Sequence, residues 1–448
     1  MMSWSSQHNG RDLFLTGVNL GNVQFLPFEG NTYGLTADAL RSVLDQALAE
    51  IAATGANSVR FWLHIDGRRS PSWGYDQATG QPMVLGLPAG FMTDLKWLLS
   101  TAYQQHGLLL SISLWSHDVL AVRRLNPEPH RARAILMMSN DRATDAYIGN
   151  ALLPMIKGLQ ERMQPGGPRF LDAVLAFEVL NEPEGMSHFW RLYKNYQYNM
   201  SWGSYSWGSK SWPCLSQPSR SSNASLHKDS KGGLTARYRG WHFTLDDGEF
   251  NNFMYHDVID NYPSEWDFLK RQIADLKLLT TQQVTHTKLL RFVNRVAGAI
   301  KRAALGTKVT VGAHSMPYNS DVAIPNLKEG RSDYGSAPFN YWKDSVLIAA
   351  GGDPQGVLDF YSVHGYPIWG EPQRDIDINM FRNPKSHWCL DKPVVVGEHW
   401  NEVLASASPK GPLVEPANYL HLHQTGYAGA WGWAWFNVSE VFDPRMPS

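Results

Sequence analysis

The sequence predicts an α/β fold: a single (β/α)₈ barrel that spans residues 1–448, with a long insertion after the fourth strand. Three observations indicate this fold. Eight short apolar runs are spread along the chain, helical stretches separate several of them, and polar residues stand at the ends of many runs. A strand with both faces buried needs near-continuous apolarity, as in a parallel sheet. Barrels of this type often form one domain even in chains of 448 residues.

The candidate strands are the apolar runs, several of which are rich in β-branched residues. They are 13–20, 56–63, 107–115, 174–181, 308–313, 357–364, 393–398 and 427–436. Between the first two, residues 36–53 place Leu40, Leu44 and Ile51 on one helical face. A second long helical pattern covers residues 264–304. Strands that alternate with helices predict parallel βαβ units, and eight such units predict a closed barrel.

Residues 186–255 do not fit this alternation. They are mostly polar, rich in Gly and Ser, and carry Trp202, Trp207 and Trp212 at an even spacing. A loop this long in a compact domain is usually a functional lid or a disordered segment. We expect an insertion that lies over the cleft, and a mobile insertion without a binding role is the alternative.

Charge and composition exclude some partners. The formal net charge is −1, which predicts no nucleic-acid partner. No apolar run reaches the roughly 18 residues of a membrane span. The first residues lack the apolar core of a signal peptide. Cys214 and Cys389 could pair or stay reduced, so the cysteines leave the redox compartment open.

Two glutamates stand where a barrel keeps its chemistry, at the carboxyl ends of strands. Glu182 directly follows the run 174–181, and Glu398 ends the run 393–398. Two such carboxylates predict the acid/base and the nucleophile of a retaining glycoside hydrolase, which lie about 5–5.5 Å apart. Like charges at that distance push their pKa values apart, so that one group can stay protonated near neutral pH.

A third glutamate lies deeper in the fourth run. Strict alternation of side chains predicts that Glu178, Leu180 and Glu182 share one face of the strand. Glu178 would then be a buried, hydrogen-bonded structural carboxylate.

Other polar residues also follow the runs. Arg60 could keep a nucleophile ionised, and the amide of Asn181 could bind a substrate hydroxyl. His117, His364 and Tyr366 follow the third and sixth runs. Taken singly, a histidine is more often a satisfied core residue and an arginine a surface charge. Together, polar residues at the same end of several strands indicate a functional site.

These residues resemble clan A glycoside hydrolases, and family 5 in particular, over roughly residues 13–436. The family pattern has an Arg on the second strand, a His after the third, Asn-Glu at the fourth, His-x-Tyr at the sixth, Glu at the seventh and Trp at the eighth. In this chain the matching residues are Arg60, His117, Asn181, Glu182, His364, Tyr366, Glu398 and Trp433. The resemblance implies that Glu182 is the acid/base and Glu398 the nucleophile, with the others binding substrate or positioning the nucleophile.

Within the family, the segments 359–369 and 181–185 are similar to those of endo-β-1,4-mannanases, including the group known from molluscs. The chain departs from the pattern in three places. His-Trp follows Glu398 where Phe-Gly is commoner, the insertion after the fourth strand is large, and the last strand carries extra tryptophans. Such an insertion could close one end of the cleft and favour exo action.

Tryptophan is abundant, with 18 residues in the chain. Indole rings pack against the flat faces of sugars, and they also fill hydrophobic cores. We expect Trp369 and Trp433 to form the floor of sugar subsites. Trp62, Trp73 and Trp115 are candidates for outer subsites.

The resemblance and the residues together predict a retaining glycoside hydrolase that cleaves β-1,4-linked polysaccharide, with mannan as the first choice. A β-1,4-glucanase or an exo-acting β-glycosidase keeps the same mechanism and is the alternative. A carbohydrate-binding protein on an inactive scaffold, or a barrel enzyme with a non-carbohydrate substrate, would change the class. We expect no cofactor, no metal, no membrane partner and a monomer. The substrate class favours secretion, although no signal peptide is recognised.

Overall fold

The computed structural model describes residues 6–8, 11–21, 36–65, 67, 69–116, 129–183, 225–228, 234–238, 241–245, 286–322, 340–366, 378–399 and 416–433. Its centre is a closed barrel of eight parallel strands. These are β1 (Leu15–Leu20), β2 (Ser58–Ile65), β3 (Leu109–Ser116), β4 (Val174–Asn181), β5 (Lys308–Ala313), β6 (Tyr361–Gly365), β7 (Val394–His399) and β8 (Gly429–Gly432). Each strand pairs with the next, and β8 pairs with β1. The predicted barrel is confirmed, and each strand overlaps one of the eight apolar runs.

Helices surround the barrel. They are α1 (Ala37–Ala53), α2 (Phe91–Ser100), α3 (Pro129–Ser139), α4 (Asp141–Tyr147), α5 (Leu153–Leu159), α6 (His286–Ala303), α7 (Asp344–Gly351) and α8 (Pro416–Gln424). Short π-helical turns cover Thr101–Gln105 and Ile148–Leu152, and 3₁₀ turns cover Phe170–Ala173, Met316–Tyr318 and Lys385–Trp388. Helix α1 begins after Thr36, whose hydroxyl accepts the N–H of Ala39 at 3.2 Å. The helices predicted over 36–53 and within 264–304 are confirmed as α1 and α6, and residues 264–285 lie outside the described residues.

The interior of the barrel is layered. An apolar cluster lies near the amino ends of the strands, with Leu15, Leu109, Leu175 and Val395 among its members and Trp431 packed on them. This cluster closes one end of the barrel. Polar side chains occupy the interior nearer the carboxyl ends, and a much larger apolar layer separates the strands from the helices.

Smaller sheets lie outside the barrel. Ser6–His8 pairs with Arg11–Leu13, and Ser72–Tyr75 pairs with Pro82–Gly86. Within the insertion, Ser225–Lys228, Leu234–Tyr238 and Trp241–Leu245 form an antiparallel sheet. Trp202, Trp207 and Trp212 lie outside the described residues. A position of the insertion over the cleft stays a prediction.

Two further expectations from the sequence concern membrane spans and the two cysteines. In the part of the chain that the structure describes, no helix is both long and apolar enough to cross a bilayer. Cys389 is exposed, and Cys214 lies outside the described residues, so their pairing stays open.

Strands β1 and β2 approach closely at Gly17. A Cβ atom there would lie 1.8 Å from the carbonyl oxygen of Ser58, which is backbone and cannot swing away. The carbonyl of Gly17 also accepts the hydroxyl hydrogen of Tyr419 at 2.6 Å, which ties α8 to β1. Only glycine therefore fits between the two strands at this point.

We predict that Gly17→Ala lowers the free energy of unfolding by about 2 kcal/mol or more, because the added methyl group forces β1 and β2 apart. The measurement is a urea unfolding curve for each variant. Gly149→Ala is the control, since a Cβ atom at Gly149 meets nothing within 4 Å and alanine favours helical backbone. Equal unfolding midpoints for Gly17→Ala and the unmodified chain would contradict the close approach.

Candidate active site

The closed barrel brings Glu182 and Glu398 together. Glu398 lies in β7 and Glu182 directly follows β4, and both are buried, with 3% and 6% of their surface exposed. One oxygen of each carboxylate and a ring nitrogen of His364 lie within 4.8 Å of one another. Inverting glycosidases hold their two carboxyl groups about 6.5–9.5 Å apart, and retaining ones about 5–5.5 Å. The spacing in this chain matches the shorter class.

The backbone turns sharply at Glu182. Its φ angle is 45°, in the left-handed region that residues other than glycine rarely adopt. Its N–H donates to the carbonyl of Gly312 in β5 at 2.6 Å, which holds the turn in place. Backbone strain of this kind concentrates at functional sites, where the surrounding structure maintains it.

A bulge in β4 changes which residues face the interior. Residues 178 to 181 of β4 pair with residues 310 to 312 of β5, so β4 carries one extra residue. As a result, Glu178 and Asn181 both point to Arg60 inside the barrel. Leu180 packs in the outer apolar layer. The expectation that Glu178, Leu180 and Glu182 share one face is therefore wrong, because strict alternation does not pass through a bulge.

Arg60 is the centre of the polar interior, and it is fully buried. Its Nε donates to one carboxylate oxygen of Glu178 at 3.0 Å, and its Nη2 donates to the other. Nη2 also donates to Oδ1 of Asn181 at 2.6 Å. Nη1 donates to Oδ1 of Asn19 at 2.7 Å and to Oε1 of Glu398 at 2.6 Å. A guanidinium has five N–H groups, and all five are used.

Arg60 stays protonated in this site. Burial alone lowers the pKa of Arg60, but the carboxylates of Glu178 and Glu398 outweigh burial and raise that pKa above its usual range. A surface location for this arginine is excluded. The interpretation of Glu178 as a buried, hydrogen-bonded carboxylate is confirmed.

The second oxygen of Glu398 faces Tyr366 and His364. The hydroxyl of Tyr366 donates to Oε2 of Glu398 at 2.6 Å. Nδ1 of His364 lies 2.8 Å from Oε1 of Glu182 and 3.4 Å from Oε2 of Glu398. One ring nitrogen therefore lies between the two carboxylates.

Burial raises the pKa of Glu398 above the usual value for glutamate, and the charge of Glu182 adds to this rise. His364, Arg60 and the hydroxyl of Tyr366 act in the opposite direction, because each stabilises the ionised carboxylate. Burial and the charge of Glu398 also raise the pKa of Tyr366 well above its usual value. Tyr366 therefore stays a neutral phenol that donates a hydrogen bond at neutral pH.

Asn19 at the end of β1 was missed by sequence reasoning. Its side-chain N–H groups point to the carbonyls of Gly397, Trp431 and Gly432 at 3.1 to 3.2 Å, while its oxygen accepts from Arg60. It thereby ties Arg60 to the backbone next to Glu398. The available signal was a polar residue near the end of the first apolar run, the same signal that identified Arg60.

Trp433 follows β8 and is partly exposed. Its ring centroid lies 5.3 Å from that of Trp62, and a Cβ atom on Gly21 would lie 2.6 Å from its ring. The absent side chain at Gly21 leaves room for the indole. Trp433 is thus held by packing against Trp62 and Gly21 while part of its surface stays exposed, and its role as a subsite floor stays a prediction.

Two tryptophans expected at outer subsites are buried instead. Trp62 is 2% exposed and Trp115 is 0% exposed. The Trp115 ring packs against His64 and Tyr147 at centroid distances of 4.9 and 5.4 Å. Neither ring offers a face to a sugar, so the expectation is wrong for both. Trp73 is partly buried and donates its Nε1–H to the carbonyl of Gly67.

Two predicted site residues, His117 and Trp369, lie outside the described residues. Their roles stay predictions. The structure brings together the six residues Arg60, Asn181, Glu182, His364, Tyr366 and Glu398.

The donor atoms of Glu182, His364 and Glu398 are close enough together for one metal ion to contact all three. However, the guanidinium of Arg60 already lies 2.6 Å from Glu398. The Glu182 and Glu398 oxygens near His364 also take part in hydrogen bonds with His364 and Tyr366, which a metal ion would have to displace. The arrangement suits proton transfer and nucleophilic attack better than metal binding.

Comparison with curated proteins gives two relatives with the same name. The chain is 26% identical over 433 residues to a mannan endo-1,4-beta-mannosidase from Mytilus edulis. The alignment covers 96% of this chain and 86% of the relative. It is 23% identical over 440 residues to a mannan endo-1,4-beta-mannosidase from Cryptopygus antarcticus. That alignment covers 97% of this chain and 84% of the relative. The chain is a relative of endo-β-1,4-mannanases. The resemblance to family 5 mannanases that the motifs indicate is confirmed.

Solved structures of mannanases share the fold. The β-mannanase of the blue mussel Mytilus edulis superposes with a TM-score of 0.57 at 22% identity, covering 97% of this chain and 92% of that one. The β-1,4-mannanase of the sea hare Aplysia kurodai superposes with a TM-score of 0.58 at 20% identity, covering 96% and 91%. No family model matches the chain.

We predict that Tyr366→Phe moves the acid limb of the pH profile to higher pH. The change removes a hydrogen bond that lowers the pKa of Glu398, so this carboxyl takes up its proton at a higher pH and its ionised form is lost earlier on acidification. A hydrogen bond to a charged group contributes about 1.5–3 kcal/mol, which predicts a rate loss of about 10- to 100-fold.

The measurement is kcat/KM against pH with a β-1,4-mannan oligosaccharide, the substrate type that the names of the relatives suggest. Tyr427→Phe is the control, because the hydroxyl of Tyr427 bonds to Trp388 and Asn383 and takes no part in this cluster. An acid limb that stays in place in Tyr366→Phe would contradict the contribution of this hydroxyl.

Proposed function

We propose that this protein is a retaining endo-β-1,4-mannanase that hydrolyses β-1,4-linked mannans without a cofactor. One observation carries the proposal: two buried carboxylates have oxygens within 4.8 Å of each other at the carboxyl ends of barrel strands. The relatives named mannan endo-1,4-beta-mannosidase, aligned over nearly the whole chain, support the choice of mannan.

In the proposed mechanism, Glu398 attacks the anomeric carbon while Glu182 protonates the glycosidic oxygen. A covalent glycosyl-enzyme forms, and the leaving part of the chain departs with the proton. Glu182, now ionised, accepts a proton from water as the water attacks the anomeric carbon and releases Glu398. The contacts of Glu398 with Arg60 and Tyr366 support its assignment as the group that must be ionised.

The remaining residues bind the substrate or orient the carboxylates. Asn181 holds the 2-hydroxyl, whose hydrogen bonds strengthen in the transition state. Trp433 and Trp369 form the floor of sugar subsites, and His117 contacts the substrate near the third strand. Arg60, His364 and Tyr366 position the two carboxylates, as their hydrogen bonds to Glu182 and Glu398 support.

We expect reducing-sugar release from linear mannan and glucomannan, and less or none from carboxymethylcellulose. The Glu398→Gln variant should lose this activity while keeping the fold, because the side chains are nearly isosteric. Glu161→Gln is the control, since Glu161 is 65% exposed and pairs with Lys96 at the surface. Product lengths from a defined oligosaccharide then separate endo from exo cleavage.

Other outcomes of this assay would change the proposal. Activity on cellulose alone would replace mannan by glucan and keep the mechanism. Full activity in Glu398→Gln would remove the nucleophile assignment. Saturable binding of mannan without turnover would indicate a carbohydrate-binding protein.

We predict that Glu182→Ala lowers kcat by about 100- to 10,000-fold, because general acid–base catalysis contributes this much. Azide attacks the glycosyl-enzyme without a general base, so added azide should restore part of the rate and give a glycosyl azide of retained configuration. The measurement is the rate with and without azide, together with the anomeric configuration of the product by NMR. An azide product of inverted configuration would contradict the retaining mechanism.

A further inference from the structure

We propose that Glu178 is a positioning residue, which sets the orientation of the Arg60 guanidinium and takes up part of its charge, and so controls what Arg60 presents to Glu398. The inference deepens the proposed function and rests on it only for the assignment of Glu398 as the nucleophile. Glu178 itself lies below the site and is fully buried, so it acts through Arg60.

The first step is geometric. Both carboxylate oxygens of Glu178 accept from Arg60, one from Nε and one from Nη2. A bidentate pair of this kind fixes the plane of the guanidinium. Once that plane is fixed, the directions of the remaining N–H groups are fixed as well. Two of them point to Glu398 and Asn181, the residues that flank the proposed reaction centre.

The second step concerns charge. One cation stands between two carboxylates, and all three groups are removed from water, because Arg60 and Glu178 are 0% exposed and Glu398 is 3% exposed. Solvent therefore screens little of their interaction. Glu178 neutralises part of the field that Arg60 would otherwise direct at Glu398. Without Glu178, Glu398 would hold its negative charge more tightly and would be a weaker nucleophile.

The third step concerns the space that the Glu178 carboxylate occupies. A Cβ atom on Gly312 would lie 2.9 Å from all three atoms of this carboxyl group. The missing side chain therefore makes room for the carboxylate. The carbonyl of Gly312 also accepts the N–H of Glu182. The same short piece of β5 thus supports Glu178 and the turn that carries Glu182.

The test is the nearly isosteric variant Glu178→Gln, which removes the charge and one acceptor. We expect the acid limb of kcat/KM to move to lower pH by about one pH unit, because the charge of Arg60 then acts undivided on Glu398. The value of kcat should fall while KM stays, since Glu178 does not contact the substrate. Glu178→Asp keeps the charge but draws the carboxylate back by one methylene group, so the acid limb should move in the same direction by less.

A second readout does not depend on turnover. The carboxyl carbon of Glu398 can be titrated by NMR in protein labelled with ¹³C at glutamate Cδ, and Glu398→Gln assigns its signal. Its midpoint should move down in Glu178→Gln. Gly312→Ala keeps the Glu178 charge but displaces the carboxylate, so the midpoint should move in the same direction by less. This variant serves if Glu178→Gln does not fold.

The matched control is Thr310→Val. Thr310 pairs with Glu178 across β4 and β5, and its hydroxyl donates to the carbonyl of Phe360 instead of contacting Arg60. It should lose some stability without a change of midpoint. An unchanged or raised Glu398 midpoint in both Glu178→Gln and Gly312→Ala overturns the proposal and leaves Glu178 a structural residue.

The two readouts separate this inference from the proposed function. A midpoint that moves down in a protein without activity on mannan supports the role of Glu178 and rejects the substrate assignment. A midpoint that does not move in a protein that hydrolyses mannan rejects the role of Glu178 and leaves the proposed function intact.

Discussion

Arg60 carries a positive charge in a part of the barrel that water does not reach. Such a charge is tolerated only where neighbouring groups neutralise it and accept its hydrogen bonds. Four side chains meet this requirement: two are carboxylates and two are amides. They come from β1, β4 and β7, so the arginine of β2 connects one half of the barrel to the other. The positions of the surrounding polar groups follow from the need to satisfy this one cation.

The two glutamates of the candidate active site depend on the same constraint. Glu398 is buried and close to Glu182, and both conditions favour its neutral form. Arg60, His364 and Tyr366 favour the ionised form. These opposing effects act on a carboxyl group that has an oxygen within 4.8 Å of one from Glu182, and the proposed mechanism requires such a close pair. The apolar cluster fills the barrel near the amino ends of the strands, so the polar groups of the site lie toward the carboxyl ends.

The fold could be predicted from the sequence because each strand lies in a mostly apolar run, as a parallel sheet buried on both faces requires, and because there are eight such runs with helical stretches between several of them. The cluster around Glu398 could be predicted because its members stand at the ends of those strands. The bulge in β4 could not, since it depends on the register with β5 and leaves no mark in the alternation. Asn19 was missed because no catalytic candidate stands next to it in the sequence, whereas Asn181 directly precedes Glu182. The burial of Trp62 and Trp115 depends on which side of a strand each ring occupies near its end, and aromatic abundance does not specify this.

The spread of the Arg60 partners has a consequence for how the chain folds. The contact between Arg60 and Glu398 spans 338 residues of sequence, and the contact with Glu178 spans 118. Such non-local contacts form slowly, because the entropy of closing long loops must be lost before they stabilise the fold. A chain with β7 not yet in place would leave part of the Arg60 charge unsatisfied. The chain therefore assembles this site only when the barrel closes, and incompletely folded forms would be catalytically silent.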